Sequence, residues 1–313
     1  MKFFISLNFL FFLLLLSCKS VIIDDTVLIE KVNKVILNDT IPFKLTAHNN
    51  ISIESILNNL DTLALMFHTD IHSISLTPEA TMRISNPSEM HHTTANSWTG
   101  SKDVSFIENN KLQIAQLDWV DQTVWLDLLS GPETDGKFGP NLFANKIIEI
   151  NYDENIIVLH SRVDQNISFN EYEKFMLSTN KNESLFVEGQ LAIGGDIINH
   201  KFMLHSGYGG TLILDDQFCK DNRLITSLEI LEEKDLKDSF GNIIKTKKAK
   251  ASVFKIGTIT FPNMPISYFD SPLEIQKTSI IGGDLLKRFN ILLDTKNLCL
   301  YLKPNKFTQL TFS

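Results

Sequence analysis

Two triplets carry the side chains best placed to do chemistry, His68-Thr69-Asp70 and His205-Ser206-Gly207. Imidazole titrates near neutrality, so two facing histidines can position a water and one of them can act as a base near pH 7. Protonating one ring disfavours protonating its neighbour. Such a pair therefore lacks what two carboxyl groups sharing one proton provide, an acid beside a base. A metal is a second possibility. His68, Asp70 and His72 lie in one loop, His205 is expected across from His68, and zinc takes His and Asp ligands with an open fourth position for water. His-x-Asp-x-His is a weak ligand spacing, and His72 can equally point away. Gly-x-Ser-x-Gly, Cys-x-x-Cys and His-Glu-x-x-His are absent from the chain.

The elements that must position these residues are written twice. Leu65-Met66-Phe67 leads into His68 as Phe202-Met203-Leu204 leads into His205, 137 residues later. A second apolar run follows each triplet, Ile74-Ser75-Leu76 in one half and Thr211-Leu212-Ile213-Leu214 in the other. Leu112-Gln113-Ile114 with Leu117-Asp118-Trp119 corresponds to Phe254-Lys255-Ile256 with Ile259-Thr260-Phe261, at an offset of 142. The block starting at Phe138-Gly139 aligns without a gap with that starting at Ile281-Gly282, at an offset of 143. Order and spacing together predict a duplicated unit. Short alternating apolar runs separated by Asn, Asp, Gly and Pro predict strands, among them 43–46, 63–67, 147–151, 156–160 and 291–294. Short helices are expected at 52–59, 139–145 and 283–289. The class is mainly β.

At 313 residues, with 43% hydrophobic and 21% charged residues, the chain can bury one large core or two medium ones. A net charge of -8 argues against nucleic acid, whose phosphates need clustered Lys and Arg. The basic run 245–250 reads as a solvated strand or loop face. At the N-terminus, Lys2 precedes an apolar run over 3–16 and then Ser17-Cys18. The run has the length of a secretory h-region and is short for a membrane span. Leu15-Leu16-Ser17-Cys18 resembles a bacterial lipobox, which implies removal of 1–17 and lipidation of Cys18. A plain signal peptide with an incidental cysteine is the alternative. Cys219 and Cys299 are too few to suggest a disulfide framework, and Cys299 reads as a small buried residue.

Each half resembles one lobe of the pepsin and retropepsin superfamily of aspartic peptidases. The resemblance rests on the apolar strand entering each triplet, the strand pairs that follow, and two apolar-apolar-Gly blocks. Ile280-Ile281-Gly282-Gly283-Asp284-Leu285-Leu286 is the strong block and Lys137-Phe138-Gly139-Pro140-Asn141-Leu142-Phe143 the weaker one. It covers roughly 39–305 and is nearest in character to bacterial retropepsin-like lipoproteins with two fused lobes. It implies a two-lobed acid-protease fold with lobes at 39–162 and 185–305, a tether and first strand at 18–38, an interlobe crossover at 163–184 and a tail at 306–313. It also implies that His68 and His205 stand where the family has its catalytic aspartates. Thr69 and Ser206 would keep a hydroxyl that bonds across the interface, Gly207 the small turn residue, and Asp70 would replace a glycine. His91, His92 and Trp98 fall in the expected first flap, Phe240 and Gly241 at the tip of the second. Gly139 and Gly282 are the structural glycines after the apolar pairs. Asp61-Thr62-Leu63 and Asp294-Thr295-Lys296 are decoys. Trp119 and Trp125 are expected in the core or a strand pair.

Three roles follow: a catalytically degenerate relative that binds peptide or protein between its lobes, a hydrolase using the His68/His205 pair with or without a metal, and a structural envelope protein. No cofactor is implied. The expected partners are a membrane, through lipidated Cys18, and an extended peptide or protein. The expected location is the bacterial cell envelope, at the outer membrane or periplasmic face. A monomeric soluble part is expected, because fused lobes remove the need for a second copy.

Overall fold

The computed structural model describes residues 40–97, 100–161, 169–224, 228–269 and 276–312. Cys18, Trp98 and the leader and tether segments lie outside them. The first series of elements is Thr40–Pro42 (β1), Lys44–Leu45 (β2), Ile51–Leu57 (β3), Asp61–Phe67 (β4), Ile74–Leu76 (β5), helix Pro78–Thr81 (α1), Met90–Ser97 (β6), Gly100–Ile114 (β7), Leu117–Leu126 (β8), Gly136–Phe138 (β9), Ile147–Asn151 (β10) and Ile156–His160 (β11). The second series is Glu173–Met176 (β12), Ser178–Thr179 (β13), Leu185–Ile193 (β14), Asp196–Leu204 (β15), Leu212–Leu214 (β16), helix Asp216–Asp221 (α2), Glu232–Lys237 (β17), Ile243–Ile256 (β18), Ile259–Phe269 (β19), Ile280–Ile281 (β20), helix Gly283–Leu286 (α3), Phe289–Asp294 (β21) and Cys299–Pro304 (β22).

The duplication is visible strand by strand. One lobe's sheet runs β2-β3-β4-β9-β5-β8-β7-β6, closed on itself by pairing of β3 with β7. The other runs β13-β14-β15-β20-β16-β19-β18-β17, closed by β14 with β18. A third sheet, β1-β11-β10-β21-β22-β12, joins the two halves through the antiparallel pair β10 and β21. There the Asn290 side chain accepts from the Tyr152 N–H and donates to Asp153, tying one half to the other.

The segment 52–59, expected as a helix, is strand β3 instead. Ile51, Ile53, Ser55 and Leu57 are each 1% exposed while Glu54 between them is exposed, a period of two that a sheet can use and a helix cannot, although Ser52 is buried as well. Asn58 and Asn59 both take positive φ, 52° and 58°, the pairing that closes a tight hairpin onto β4. The other two expected helices form as single turns, a 3-10 turn at Pro140–Phe143 and α3. The strand expected at 43–46 is paired only over Lys44–Leu45.

Strand β9 determines where the first triplet sits. It runs parallel to β4 and antiparallel to β5, wedged between the strand entering the His68 loop and the strand leaving it. β20 is wedged in the same way between β15 and β16. The glycines that follow are required by close approach. A Cβ on Gly139 would stand 1.7 Å from the Ile71 carbonyl oxygen, and one on Gly282 would stand 2.4 Å from that of Gly210. Beyond β22 the chain folds back onto Arg288, which is fully buried. Arg288 donates to the carbonyls of Phe307, Leu310 and Thr311 and stacks on Phe312. The basic run lies in β18, where Lys245, Lys247 and Lys248 face Asp235, Glu233 and Glu232 of β17.

Candidate functional site

The two triplets meet, and their hydroxyls hold them together. Thr69 Oγ1 donates to the Leu204 carbonyl at 2.8 Å and accepts from the Ser206 N–H at 3.0 Å. Ser206 Oγ donates to the Phe67 carbonyl at 2.8 Å and accepts from the Thr69 N–H at 3.0 Å. Each loop thus satisfies a buried N–H and a buried C=O of the other. His68 and His205 hang from these loops with ring centroids 4.4 Å apart and planes at 65°. Each loop is also anchored from behind, since the His68 and His205 N–H groups donate to the Phe138 and Ile281 carbonyls of β9 and β20, both at 2.9 Å.

The proton positions follow from the backbone. His68 Nδ1 accepts from the Asp70 N–H at 3.1 Å, and His205 Nδ1 from the Tyr208 N–H at 3.0 Å. A backbone N–H can only donate, so both neutral rings carry their proton on Nε2. Burial holds the His68 imidazole well below its usual 6.5, with His205 and then the Lys137 charge adding to the effect. Burial likewise brings His205 down to about 4, against a backbone hydrogen bond and with help from Lys137. Gly207 is small because the His68 ring lies against it. A Cβ there would come within 2.2 Å of His68 Cδ2.

The remaining expected residues scatter. Burial raises the Asp70 carboxyl above its usual range, opposed by a hydrogen bond from Ser184 and the charge of His72. His72 is half exposed and faces Glu183 at 3.9 Å. Among the described residues no three His, Cys, Asp or Glu side chains come together as metal ligands would, so the His68, Asp70, His72 and His205 set expected for a metal is not assembled. His91 stacks on Phe106 at 5.3 Å and His92 bonds Ser105 at 3.1 Å, both on their own β6–β7 hairpin. Both decoys are occupied structurally. Asp61 accepts from Ser85 and Asp294 from Asn297. Trp119 packs on Phe143 and donates to the Leu142 carbonyl, and Trp125 packs on Phe106. Cys219 and Cys299 are free and buried.

Phe240 and Gly241 form the tip of the β17–β18 hairpin, and this tip reaches the first lobe. The Asp238 carboxylate shapes it by accepting from the Phe240 and Asn242 N–H groups, both at 2.9 Å. Leu129 N–H donates to the Ser239 carbonyl at 2.8 Å. Lys102 Nζ donates to Asn242 Oδ1 at 3.1 Å, and Lys137 Nζ donates to Ser239 Oγ at 2.5 Å. On the other side, the β2–β3 turn docks on the second triplet. Asn50 Nδ2 donates to the Ser206 carbonyl at 2.9 Å and Asn49 Nδ2 to that of Gly209 at 2.7 Å. Sequence reading passed over Lys102, Lys137, Ser239, Asn49 and Asn50. Lys137 alone left a signal, as the charged residue in an apolar-apolar-Gly block whose twin has Ile280.

Thr69→Val keeps the shape of the side chain and strands the Ser206 N–H and the Leu204 carbonyl. The expected loss is about 2–6 kcal/mol in urea unfolding, from two buried groups at about 1–3 each. The imidazoles add a pH dependence. Their folded pKa values lie below 6.5, so the unfolded chain takes up protons first as pH falls, and stability present above pH 6.5 is lost as pH falls, for His205 down to about 4. For His205 the loss amounts to roughly 3 kcal/mol. His205→Gln is expected to flatten that part of the curve when unfolding is followed at neutral and acid pH.

No protein-family model and no curated protein matches the chain. Solved structures do match. One is the crystal structure of an aspartic proteinase from Irpex lacteus, 13% identical, with a TM-score of 0.54 over 88% of this chain and 99% of that one. At that identity the likeness speaks for architecture alone: the chain has the duplicated, mainly β, two-lobed fold of an aspartic proteinase.

Proposed function

We propose that this chain is an exported, lipid-anchored envelope protein that keeps an aspartic-proteinase fold without aspartic-proteinase chemistry and binds an extended peptide between its lobes. The observation that carries the reading is the His68/His205 pair. In this proposal the two rings occupy the places of the catalytic aspartates. Both are pressed toward the neutral form, and each has the same Nε2–H tautomer. Hydrolysis by an aspartic pair needs one carboxylate to take a proton from water and one carboxylic acid to give a proton to the carbonyl oxygen. Two neutral Nε2–H imidazoles present two donors to that position and no base. Peptide binding draws support from β6 and β17, which among the described residues end their sheets and leave one edge of each for strand addition. Export and anchoring are supported by the apolar run at 3–16 followed by Ser17-Cys18.

Two experiments test this. The chain without residues 1–18 is incubated with a diverse peptide mixture from acid to neutral pH, and products are read by mass spectrometry beside a His68→Ala/His205→Ala control. The expected result is no cleavage above the control. Cleavage that disappears in the control would make the protein a histidine-dependent hydrolase. For the anchor, the full chain expressed in a bacterium is expected to incorporate labelled palmitate and to fractionate with membranes, and Cys18→Ala to do neither. Equal labelling of the variant would rule out Cys18 as the lipid site.

A further inference from the structure

Lys137 is a charged side chain where the repeat places an apolar one. It lies on β9 opposite Met66, as Ile280 lies on β20 opposite Met203. It is 7% exposed, and burial draws its pKa down to about 8, which leaves the ammonium mostly charged at neutral pH. Its two hydrogen-bond acceptors are neutral, the Leu129 carbonyl at 3.0 Å and Ser239 Oγ at 2.5 Å. The acid whose charge it feels is Asp238, but that carboxylate is taken up by the Phe240 and Asn242 N–H groups and by Asn242 Nδ2. A buried ammonium bonded only to neutral acceptors is costly, and one of its three N–H donors is left over.

The imidazoles supply an independent second observation. Both Nδ1 atoms are consumed by backbone N–H groups, so each ring can offer only Nε2–H. Among the described residues neither Nε2 has a hydrogen-bond partner, and Lys137 adjoins Phe138, whose carbonyl accepts from the His68 N–H at 2.9 Å, while the His205 ring lies 4.4 Å from that of His68. The nearby hydroxyls of Thr69 and Ser206 are spent on each other's loops. What remains is an ammonium and two N–H groups, all donors, with His68 and Lys137 buried and His205 partly buried. We propose that Lys137, His68 and His205 form a carboxylate-binding site, which takes either the C-terminal carboxylate of a bound peptide or an acidic side chain within it. This deepens the peptide-binding reading and rests on it.

The test uses randomised octapeptide pools, one with free C-termini and one amidated, passed over the immobilised chain lacking residues 1–18. Retained peptides are read by mass spectrometry. The wild type is expected to enrich free acids over amides, or Asp and Glu over Asn and Gln, by about tenfold, the value of one charge-assisted hydrogen bond. Which of the two is enriched tells a terminal from a side-chain carboxylate. Lys137→Met is expected to erase the enrichment while still retaining neutral peptides. Ile280 at the twin position is the reason to expect Met to be accommodated. Lys137→Gln serves if Lys137→Met does not melt cooperatively. Equal retention of acid and neutral peptides by the wild type would overturn the proposal alone, as would enrichment that survives in the variant. No retention of either pool would bring down the peptide-binding reading and this site with it.

Discussion

The reciprocal exchange between Thr69 and Ser206 is the constraint on which the rest depends. Four hydrogen bonds of 2.8–3.0 Å satisfy an N–H and a carbonyl in each loop where water has little access. Neither loop could be buried alone without leaving those groups unpaired, so each lobe completes the other. The β10–β21 pairing and the wedged strands β9 and β20 bring the loops to the junction, and the hydroxyls fix them there. Everything the site can do is decided by what those fixed loops carry at one position, which is histidine in both.

Histidine at that position in both loops sets the polarity of the junction. A pair of carboxyl groups accepts hydrogen bonds and shares a proton. Here two neutral rings with occupied Nδ1 atoms donate, and a buried lysine adds a positive charge beside them. The lysine and the low imidazole pKa values support each other physically. Burial first, and then the nearby cation, disfavours a second and third positive charge, so the rings stay neutral and the lysine is the sole cation of the group near pH 7. The β17–β18 tip, bonded to Lys137 through Ser239 and to Lys102 through Asn242, links this group to the second lobe's hairpin.

The duplication was legible because it is a pattern of order and spacing that needs no knowledge of contacts. The 137-residue interval between the triplets is the same interval that separates the hydrogen-bonded Thr69 and Ser206. The lobes' strand orders then match one for one. Local periodicity was less secure. In 51–57, apolar residues spaced for a helix are also spaced for a strand, and the hairpin with β4, closed at Asn58 and Asn59, settled it. The lysine's role was hidden because it depends on partners far along the chain: Ser239 lies 102 residues beyond it. Asn50 was silent for the same reason, with its Ser206 partner 156 residues away. Of the residues weighed for a metal, His72 faces Glu183 and Asp70 is hydrogen-bonded by Ser184, and among the described residues no three ligand side chains come together.

The central claim is that His68 and His205 face each other as neutral Nε2–H donors through the neutral and mildly acid range. Nitrogen-15 NMR of the imidazoles tests it directly, with the two rings assigned by His68→Gln and His205→Gln. The account predicts Nε2–H signatures for both rings from pH 8 to about 5, with no titration near 6.5. A ring that titrates near 6.5, or one that carries its proton on Nδ1, would contradict it and restore a base to the junction.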